Sequence, residues 1–340
     1  MVCKMLLFDY RDSEKKFFET NKYENFDIKF FKESLNEETL NKLNQEDLEK
    51  TLAISVFTTS LITPEIIDKF KNLRIISTRS TGYNHIALEP CVEKNIALIN
   101  VESYGSSSVA EFTFTIILML IRQILPAVEA IKSGTCVQKN FTGRNLNTLT
   151  LGVIGTGAIG ARVAQIANNF GMKILAYDVI PKKELEQKYN VQYVKLEELL
   201  KKSDIISLHV PANKETYHII GDKQLKMMKD NSYLINVSRG ELIKLNDLLK
   251  FVKIGKLNGV GLDVVACVNS GCLENSDKLE RDTLACLEES SVVKELNKYP
   301  NVIITPHTAY DTEESVDYIL KTTFAGLTDF LCGGNKYRVL

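Results

Sequence analysis

The sequence lacks several features that would indicate a membrane protein, a secreted protein or a nucleic-acid-binding protein. It has no apolar run of about 18 residues, the length that a membrane-spanning helix needs, and the apolar stretch within residues 1–9 is too short for a secretory signal peptide. It has no long run of lysine and arginine, and its formal net charge over 340 residues is −1, which argues against a nucleic-acid partner. We therefore expect a cytoplasmic protein whose partners are small molecules or copies of itself, with no membrane and no nucleic acid among them.

Metal-binding chemistry is also scarce. The seven cysteines are an odd number, which favours reduced thiols in a reducing compartment. Cys267 and Cys272 lie close together with Cys286 beyond them, but no histidine or carboxylate pattern completes a zinc site. We expect no metal, and we interpret these cysteines as loop thiols.

A glycine fingerprint is the most informative motif that is present. An apolar run over residues 149–154 leads into Gly155, Gly157 and Gly160, and residues 161–170 are typical of a helix. In such a motif the first glycine permits a tight turn, the second lets backbone N–H groups approach a pyrophosphate, and the third lets the helix pack on the strand. The context of strand, turn and helix predicts a dinucleotide site.

A carboxylate follows at the position expected for ribose binding. A second predicted strand over 172–177 ends at Asp178, where a carboxylate would accept both ribose hydroxyls of NAD and repel the 2′-phosphate of NADP. Lys182 and Lys183 follow closely, and their positive charges could weaken this discrimination against NADP. The sequence therefore favours NAD as the cofactor.

The rest of the chain alternates short apolar strands with helical stretches. Its length fits two domains, and the alternation predicts an α/β fold with two doubly wound parallel sheets, one on each side of residue 102. The predicted strands outside the fingerprint lie at 4–9, 27–31, 53–56, 74–77, 97–100, 192–194, 205–209, 233–236, 259–262 and 302–305.

Three other segments have distinct patterns. The stretch 109–121 is apolar on most faces, so as a helix it must be buried nearly all round, in the cores of both domains or in a subunit interface. The stretch 268–291 is polar and breaks the alternation, so we expect a long loop with a short helix. The pattern over 315–331 predicts a helix that returns to the N-terminal domain.

Polar residues follow several predicted strands, and ligands of doubly wound sheets bind at the carboxyl ends of strands. Arg239 offers a planar, charged fork that suits a 2-oxo acid, because it can bind the carboxylate and polarise the ketone; a lone arginine at a strand end can equally form a surface ion pair. His307, one of four histidines, is suited to donate a proton at neutral pH. Asp263 follows a third strand.

These residues lie in blocks that occur in order along nearly the whole chain: 77–86, 152–178, 208–211, 235–240, 261–264 and 300–310. Together the blocks resemble the D-isomer-specific 2-hydroxy acid dehydrogenases, and more closely the D-lactate dehydrogenase branch that includes the vancomycin-resistance enzymes. The resemblance implies a Rossmann NAD domain at 102–306, inserted into a flavodoxin-like substrate domain formed by 1–101 and 307–340.

The resemblance also implies roles for individual residues. Arg239 would bind and polarise the substrate, His307 would be the acid and base, and Tyr104 would lie on the substrate side. The turn at Thr81 and Gly82 would offer backbone amides to the substrate carboxylate. The positions that would contact the cofactor are Gly155, Gly157, Ala158, Ile159, Gly160, Asp178, Val210, Pro211, Thr216, Val237, Ser238, Arg239 and Asp263.

The chain departs from the family pattern at one catalytic position. The family has a glutamate that hydrogen-bonds the catalytic histidine, where this sequence has Val268. Without that carboxylate we expect the pKa of His307 to fall and its side chain to be less restrained. Glu274 could replace the glutamate if the loop were threaded differently, or Val268 could shape a pocket for a more apolar substrate.

Two functions are compatible with this sequence. The first is an NAD-dependent D-2-hydroxy acid dehydrogenase that reduces a 2-oxo acid, pyruvate before others, and acts as a homodimer. The second is a corepressor-like sensor that binds NAD(H) and has weak or no turnover because of Val268. Retention of Arg239 and His307 favours the enzyme.

Overall fold

The computed structural model describes residues 2–102, 104–135, 140–265 and 284–340, with side chains given from 289 onward in the last of these ranges. The chain divides into two compact units. Met1–Tyr104 and Asp311–Leu340 form the first, and Gly105–Tyr310 forms the second. The chain crosses between the units slightly beyond the predicted boundaries at 101 and 306, so His307 belongs to the second unit.

Within the described residues, the first unit has a sheet of five parallel strands in the order β2-β1-β3-β4-β5. This order is that of flavodoxin-like folds. All five strands lie where the sequence predicts them. They are β1 (Cys3–Leu7), β2 (Phe26–Phe30), β3 (Ala53–Val56), β4 (Ile75–Thr78) and β5 (Ala97–Ile99).

Helices cover both faces of this sheet because its strands are apolar on both sides. Leu6, Ile54 and Ile76 pack on one face. On the other face Met5 and Ile75 pack with Phe324 of the C-terminal helix, so the predicted return of that helix is confirmed. The helices are α1 (Lys15–Thr20), α2 (Glu37–Leu40), α3 (Gln45–Lys50), α4 (Pro64–Lys69), α5 (Leu88–Glu93) and α14 (Glu313–Leu331).

The second unit has a sheet of seven parallel strands among the described residues, in the order β12-β11-β10-β9-β6-β7-β8. The order runs outward in both directions from β6, which is the doubly wound arrangement. The predicted fold class is therefore confirmed. The strands are β6 (Thr150–Ile154), β7 (Lys173–Tyr177), β8 (Gln192–Tyr193), β9 (Ile205–Leu208), β10 (Ser232–Asn236), β11 (Leu257–Leu262) and β12 (Val302–Ile304).

Helices pack on both faces of the second sheet. On one face, helix α6 (Ser106–Ile121) lies so close to β11 that a Cβ on Gly261 would come within 2.2 Å of the side chain of Ile116. Glycine in the strand therefore permits this close approach. The helices are α6 (Ser106–Ile121), α7 (Ile124–Lys132), α8 (Ala158–Asn169), α9 (Lys183–Tyr189), α10 (Leu196–Lys202), α11 (Asp222–Met227), α12 (Leu245–Lys253) and α13 (Leu284–Leu296).

The apolar helix predicted over 109–121 is α6. It is largely buried, but Glu111 and Thr115 are exposed, so one narrow polar strip remains. No single helix in the described parts of the chain is long and apolar enough to cross a membrane. α6 and α7 reach that length and composition only as a pair, which is bent by 60° at the break between them.

The stretch 268–291 was predicted to be a long loop with a short helix, and α13 begins inside it at Leu284 but continues beyond it to Leu296. Residues 266–283 lie outside the described residues.

Candidate functional site

The glycine fingerprint forms a tight turn between β6 and α8. Gly155 has a φ of +92°, and a Cβ there would lie 2.7 Å from the backbone of His209. A Cβ on Gly160 would lie 1.9 Å from the carbonyl oxygen of Gly155, whereas one on Gly157 would meet nothing within 4 Å. Gly155 and Gly160 are therefore required by the turn itself, and Gly157 leaves open space beside the backbone.

The N-terminus of α8 faces that open space without a side-chain cap. Gly157 is the N-cap residue and makes no side-chain hydrogen bond, and the first helical hydrogen bond is donated by Ala161. The backbone N–H groups of Ala158, Ile159 and Gly160 thus have the orientation of unsatisfied first-turn donors. Such donors, together with the helix dipole, suit an anionic pyrophosphate. The helix begins three residues before the predicted 161–170 because the glycine-rich start is itself helical.

Asp178 follows β7 and is fixed by short hydrogen bonds. Its Oδ2 accepts the backbone N–H of Thr156 at 2.6 Å and the Thr156 hydroxyl at 2.8 Å, and its Oδ1 accepts the N–H of Ile180 at 3.0 Å. Burial alone would raise the pKa of Asp178, but the hydrogen bonds from Ile180, Thr156 and Val179 hold it below its ordinary value. Asp178 is therefore an oriented carboxylate at neutral pH.

One side-chain hydrogen bond joins the segments that follow β9 and β10, and a second stabilises the loop after β9. The Ser238 hydroxyl donates to the carbonyl of Val210 at 2.6 Å, and the Thr216 hydroxyl donates to the carbonyl of Pro211, also at 2.6 Å. Val237 is buried, whereas Ser238 is half-buried. The structure therefore brings these predicted cofactor residues together at the same edge of the sheet as the fingerprint.

Arg239 lies at the end of β10. Its Nη1 donates to the carbonyl of Ser238 at 2.8 Å, and its own carbonyl accepts from the Asn236 side chain at 2.8 Å. The residue is half-buried, and no carboxylate pairs with its guanidinium among the described residues. Among the described residues, the Arg239 guanidinium therefore does not form a surface ion pair. Its remaining N–H donors suit a planar anion.

Asp263 and His307 follow β11 and β12. The His307 backbone adopts a φ of +55° and its N–H donates to the carbonyl of Asp263 at 2.9 Å. The Asp263 carboxylate accepts from the Thr305 hydroxyl at 2.6 Å and from the N–H groups of Thr308 and Ala309, both at 2.9 Å. Burial raises the pKa of Asp263, an effect that these three hydrogen bonds oppose.

The three strands that carry Arg239, Asp263 and His307 are neighbours in the order β10-β11-β12. Because neighbouring strands lie about 4.8 Å apart and all run parallel, the three residues share the carboxyl edge of the sheet. The half-buried His307 ring makes an edge-on contact with Tyr310 at 6.2 Å between centroids. A permanent cation and an imidazole therefore stand at the edge that also carries the dinucleotide turn.

A family model supports this interpretation directly. The model described as "D-isomer specific 2-hydroxyacid dehydrogenase, NAD binding domain" matches residues 114–309. This chain belongs to the D-isomer specific 2-hydroxyacid dehydrogenase family. Its second unit is the NAD-binding domain, and NAD is its cofactor, as the fingerprint and Asp178 predict.

Individual relatives match most of the chain. The glyoxylate reductase of Thermococcus litoralis is 34% identical over 295 residues, covering 85% of this chain and 83% of the relative. The D-specific alpha-keto acid dehydrogenase of Enterococcus faecium is 36% identical over 280 residues, 82% of each protein. The crystal structure of the Aquifex aeolicus D-lactate dehydrogenase, complexed with NAD and lactic acid, matches with a TM-score of 0.85 at 35% identity and covers 98% of both chains.

The substrate-side residues expected from the family lie in the first unit. The turn after β4 is tied down through its carbonyls: Asn100 donates to Thr81 at 2.9 Å, and the Ser80 hydroxyl donates to Gly82 at 2.7 Å. The Thr81 hydroxyl in turn donates to Val101 at 2.9 Å. The carbonyl of Tyr104 accepts the Ser315 hydroxyl at 3.2 Å.

Some expectations fall on residues that the structure leaves undescribed. Val268 and Glu274 lie outside the described residues, as do Cys267 and Cys272, so the fate of the orienting glutamate stays a prediction. Among the described residues, no group of three or more histidine, cysteine, aspartate and glutamate side chains is placed to hold a metal ion.

Sequence reasoning missed the residues that hold the predicted ones in place. Thr156 and Tyr193 support Asp178, and Ser80 and Asn100 support the turn at Thr81 and Gly82. Thr156 stands inside the fingerprint and Ser80 inside a family block, which are the only signals the sequence offers for them. Tyr193 and Asn100 end or follow short strands and carry no such signal.

Proposed function

We propose that this protein reduces a 2-oxo acid, pyruvate before others, to the corresponding D-2-hydroxy acid with NADH. The observation that carries the proposal is the placement of Arg239, Asp263 and His307 at the ends of three adjacent strands in an NAD-binding domain of this family. The relatives support the substrate class, since their names refer to glyoxylate, alpha-keto acids and lactic acid.

Arg239 binds and orients the substrate in this proposal. Its guanidinium is always charged and presents parallel N–H donors, so it can hold a carboxylate and also hydrogen-bond the ketone oxygen. The hydrogen bonds around Ser238 and Asn236 restrain the backbone from which it extends. Polarising the ketone makes the carbonyl carbon more electrophilic, and the guanidinium stabilises the negative charge that develops on oxygen.

His307 supplies the proton. NADH, when bound, provides the hydride that is added to the carbonyl carbon. The ketone oxygen, which gains an electron pair as its π bond breaks, takes a proton from the imidazolium of His307 and becomes the hydroxyl. In the reverse direction the neutral imidazole removes that proton. Asp263 fixes the backbone on both sides of His307 and is a positioning residue.

The first unit, Met1–Tyr104 and Asp311–Leu340, corresponds to the substrate domain in this proposal, which the sequence predicted at 1–101 and 307–340. The amides of Thr81 and Gly82 would bind the substrate carboxylate, with Tyr104 on the substrate side. The hydrogen bonds that occupy the carbonyls of both turn residues support this role, because they leave the N–H groups as the functional face of the turn.

We also propose a homodimer. The support lies on α7, next to the buried α6, where Ile124, Leu125, Val128 and Ile131 are 43% to 67% exposed. These positions recur with helical spacing and form one apolar face. A second copy of the same chain would cover it.

The test is NADH oxidation with a panel of 2-oxo acids from pyruvate to phenylpyruvate, each assayed between about pH 5 and 8. Turnover should be lowered by about 10² to 10⁴ in His307→Asn, with NADH binding retained. The matched control is His218→Asn, in the same unit, which should keep the wild-type rate.

The sensor alternative predicts a different result. Tight NADH binding with no oxidation of NADH by any member of the panel would contradict the enzyme and support the sensor. Equal residual rates in the wild type and His307→Asn would have the same meaning.

A further inference from the structure

A chain of three side chains leads from the edge strand β8 to the ribose-binding carboxylate. The Tyr193 hydroxyl lies 3.0 Å from Oγ1 of Thr156, and that oxygen lies 2.8 Å from Oδ2 of Asp178. The backbone N–H of Thr156 reaches the same carboxylate oxygen at 2.6 Å. Thr156 is fully buried, and Tyr193 and Asp178 are half-buried.

The protons in this chain can be assigned from the donors present. Asp178 is ionised, because its pKa lies below the ordinary value, so it can only accept. The Thr156 hydroxyl has one proton and must donate it to Asp178. Thr156 can then only accept from Tyr193. The direction Tyr193 to Thr156 to Asp178 is therefore unique, and each bond polarises the next.

The chain also determines which carboxylate oxygen is available. Oδ2 already accepts two donors from Thr156, and both restrain the rotation of the carboxylate. Oδ1, which accepts Ile180, is the oxygen that would receive a ribose hydroxyl.

We propose that Thr156 and Tyr193 are positioning residues that hold Asp178 toward the cofactor ribose and thereby set the preference for NAD over NADP. The inference rests on the cofactor half of the proposed function and is independent of turnover.

The reason is electrostatic. A 2′-hydroxyl donates to a carboxylate, whereas a 2′-phosphate is repelled by it, and the repulsion is avoided if the carboxylate can turn away. Thr156 and Tyr193 oppose that rotation. The two residues after Asp178 are the apolar Val179 and Ile180, 85% and 73% exposed, so they provide no cation for a phosphate. The exposed Lys182 and Lys183 come only afterwards.

The experiment compares dissociation constants for NADH and NADPH, measured without substrate from the fluorescence of the nucleotide. The chain contains no tryptophan, so the nucleotide signal is not mixed with indole emission. Tyr193→Phe keeps the ring and should weaken NADH binding by about 3- to 10-fold. Thr156→Val should weaken it by about 10- to 100-fold, because a hydrogen bond to a charged group is lost. In both variants the ratio of the NADPH constant to the NADH constant should fall.

Two controls separate positioning from general damage. Thr156→Ser keeps the hydroxyl and should retain wild-type binding of both nucleotides within a factor of about 3. Tyr189→Phe removes a hydroxyl from the end of α9 that makes no hydrogen bond within the described residues, and it should change nothing.

Three results would overturn the proposal. The first is that Tyr193→Phe keeps the wild-type dissociation constants for NADH and NADPH. The second is that Thr156→Ser and Thr156→Val lose NADH affinity equally, and the third is that Tyr189→Phe and Tyr193→Phe do so. Because no substrate is present, a failure of the proposed reaction would leave these binding constants unaffected and would be recognised separately.

Discussion

The carbonyl oxygen of Asp263 accepts the backbone N–H of His307 at 2.9 Å, while the Asp263 carboxylate accepts the N–H groups of the next two residues. His307 has a φ of +55°, a conformation that costs a residue with a Cβ about 1 kcal/mol or more. One buried aspartate therefore holds the unusual backbone from which the imidazole extends.

We predict that Asp263→Ala lowers kcat by about 10²-fold, because three donors lose their acceptor and His307 is no longer fixed. Asp263→Asn should lie between Ala and the wild type, since its amide oxygen can still accept while its NH₂ group faces a donor. Thr305→Val, which removes only one of the three donors, should be milder than either.

The measurements are steady-state rates and melting temperatures for all three variants. If the three variants had equal rates, or if Asp263→Ala kept the wild-type kcat, the positioning role of Asp263 would be wrong.

A second prediction concerns the turn at Thr81 and Gly82. Ser80→Ala and Asn100→Ala each remove a donor to a turn carbonyl, so the turn should become looser and its amides less well aligned. We expect KM for the 2-oxo acid to rise by about 3- to 10-fold in each variant, with the NADH dissociation constant unchanged.

Ser34→Ala is the control for this pair, because Ser34 lies in the same unit and its hydroxyl makes no hydrogen bond within the described residues. A change in NADH binding instead of KM would show that the effect does not act through the substrate turn.

The prediction of the fold from sequence succeeded where local signals and tertiary structure agree. Most strands of the two sheets are apolar runs bounded by turn residues, and parallel sheets bury such runs on both faces, so their positions were readable. The edge strands β2 and β8 are less apolar and partly exposed. The fingerprint and Asp178 were readable for the same reason, since a glycine spacing and a strand end are both local features.

The supporting contacts could not be read in this way. Tyr193 meets Thr156 because β7 pairs with both β6 and β8, and strand order and register are properties of the folded sheet. Asn100 likewise reaches Thr81 only because β4 and β5 are paired. The burial of α6 was predicted, but the apolar face of α7 was not, since the bend between the two helices decides which side chains remain exposed.

That face of α7 gives a third prediction. Ile131→Glu and Val128→Glu would each place a charge in the proposed interface between two copies, where its desolvation is costly. We expect the molar mass from light scattering after size exclusion to fall from that of a dimer to that of a monomer. Val92→Glu, at a position 60% exposed in the first unit, should leave the mass unchanged. A dimeric mass for both α7 variants would place the interface elsewhere.

A fourth prediction is that His209 makes the protein less stable in acid. Its Nε2 lies 2.8 Å from the Ser207 hydroxyl, and its Nδ1 is buried without a partner among the described residues. Although the residue as a whole is partly accessible, its ring nitrogens are enclosed, and this desolvation lowers the pKa of His209 from 6.5 to about 3.

The unfolded chain therefore takes up a proton between pH 6.5 and 3 that the folded chain does not. The stability that depends on neutral His209 is complete above pH 6.5 and is lost progressively as the pH falls toward 3. Between pH 7 and pH 5 the loss amounts to about 2 kcal/mol in the free energy of unfolding.

Urea unfolding at pH 7 and pH 5 tests this prediction. His209→Gln can still hydrogen-bond Ser207 and should remove about 2 kcal/mol from the difference in stability between the two pH values. His218→Gln is the matched control. Burial and Lys244 lower the pKa of His218 as well, but its ring is less enclosed, so it should remove a smaller part. Equal pH dependence in the wild type and His209→Gln would contradict the assignment.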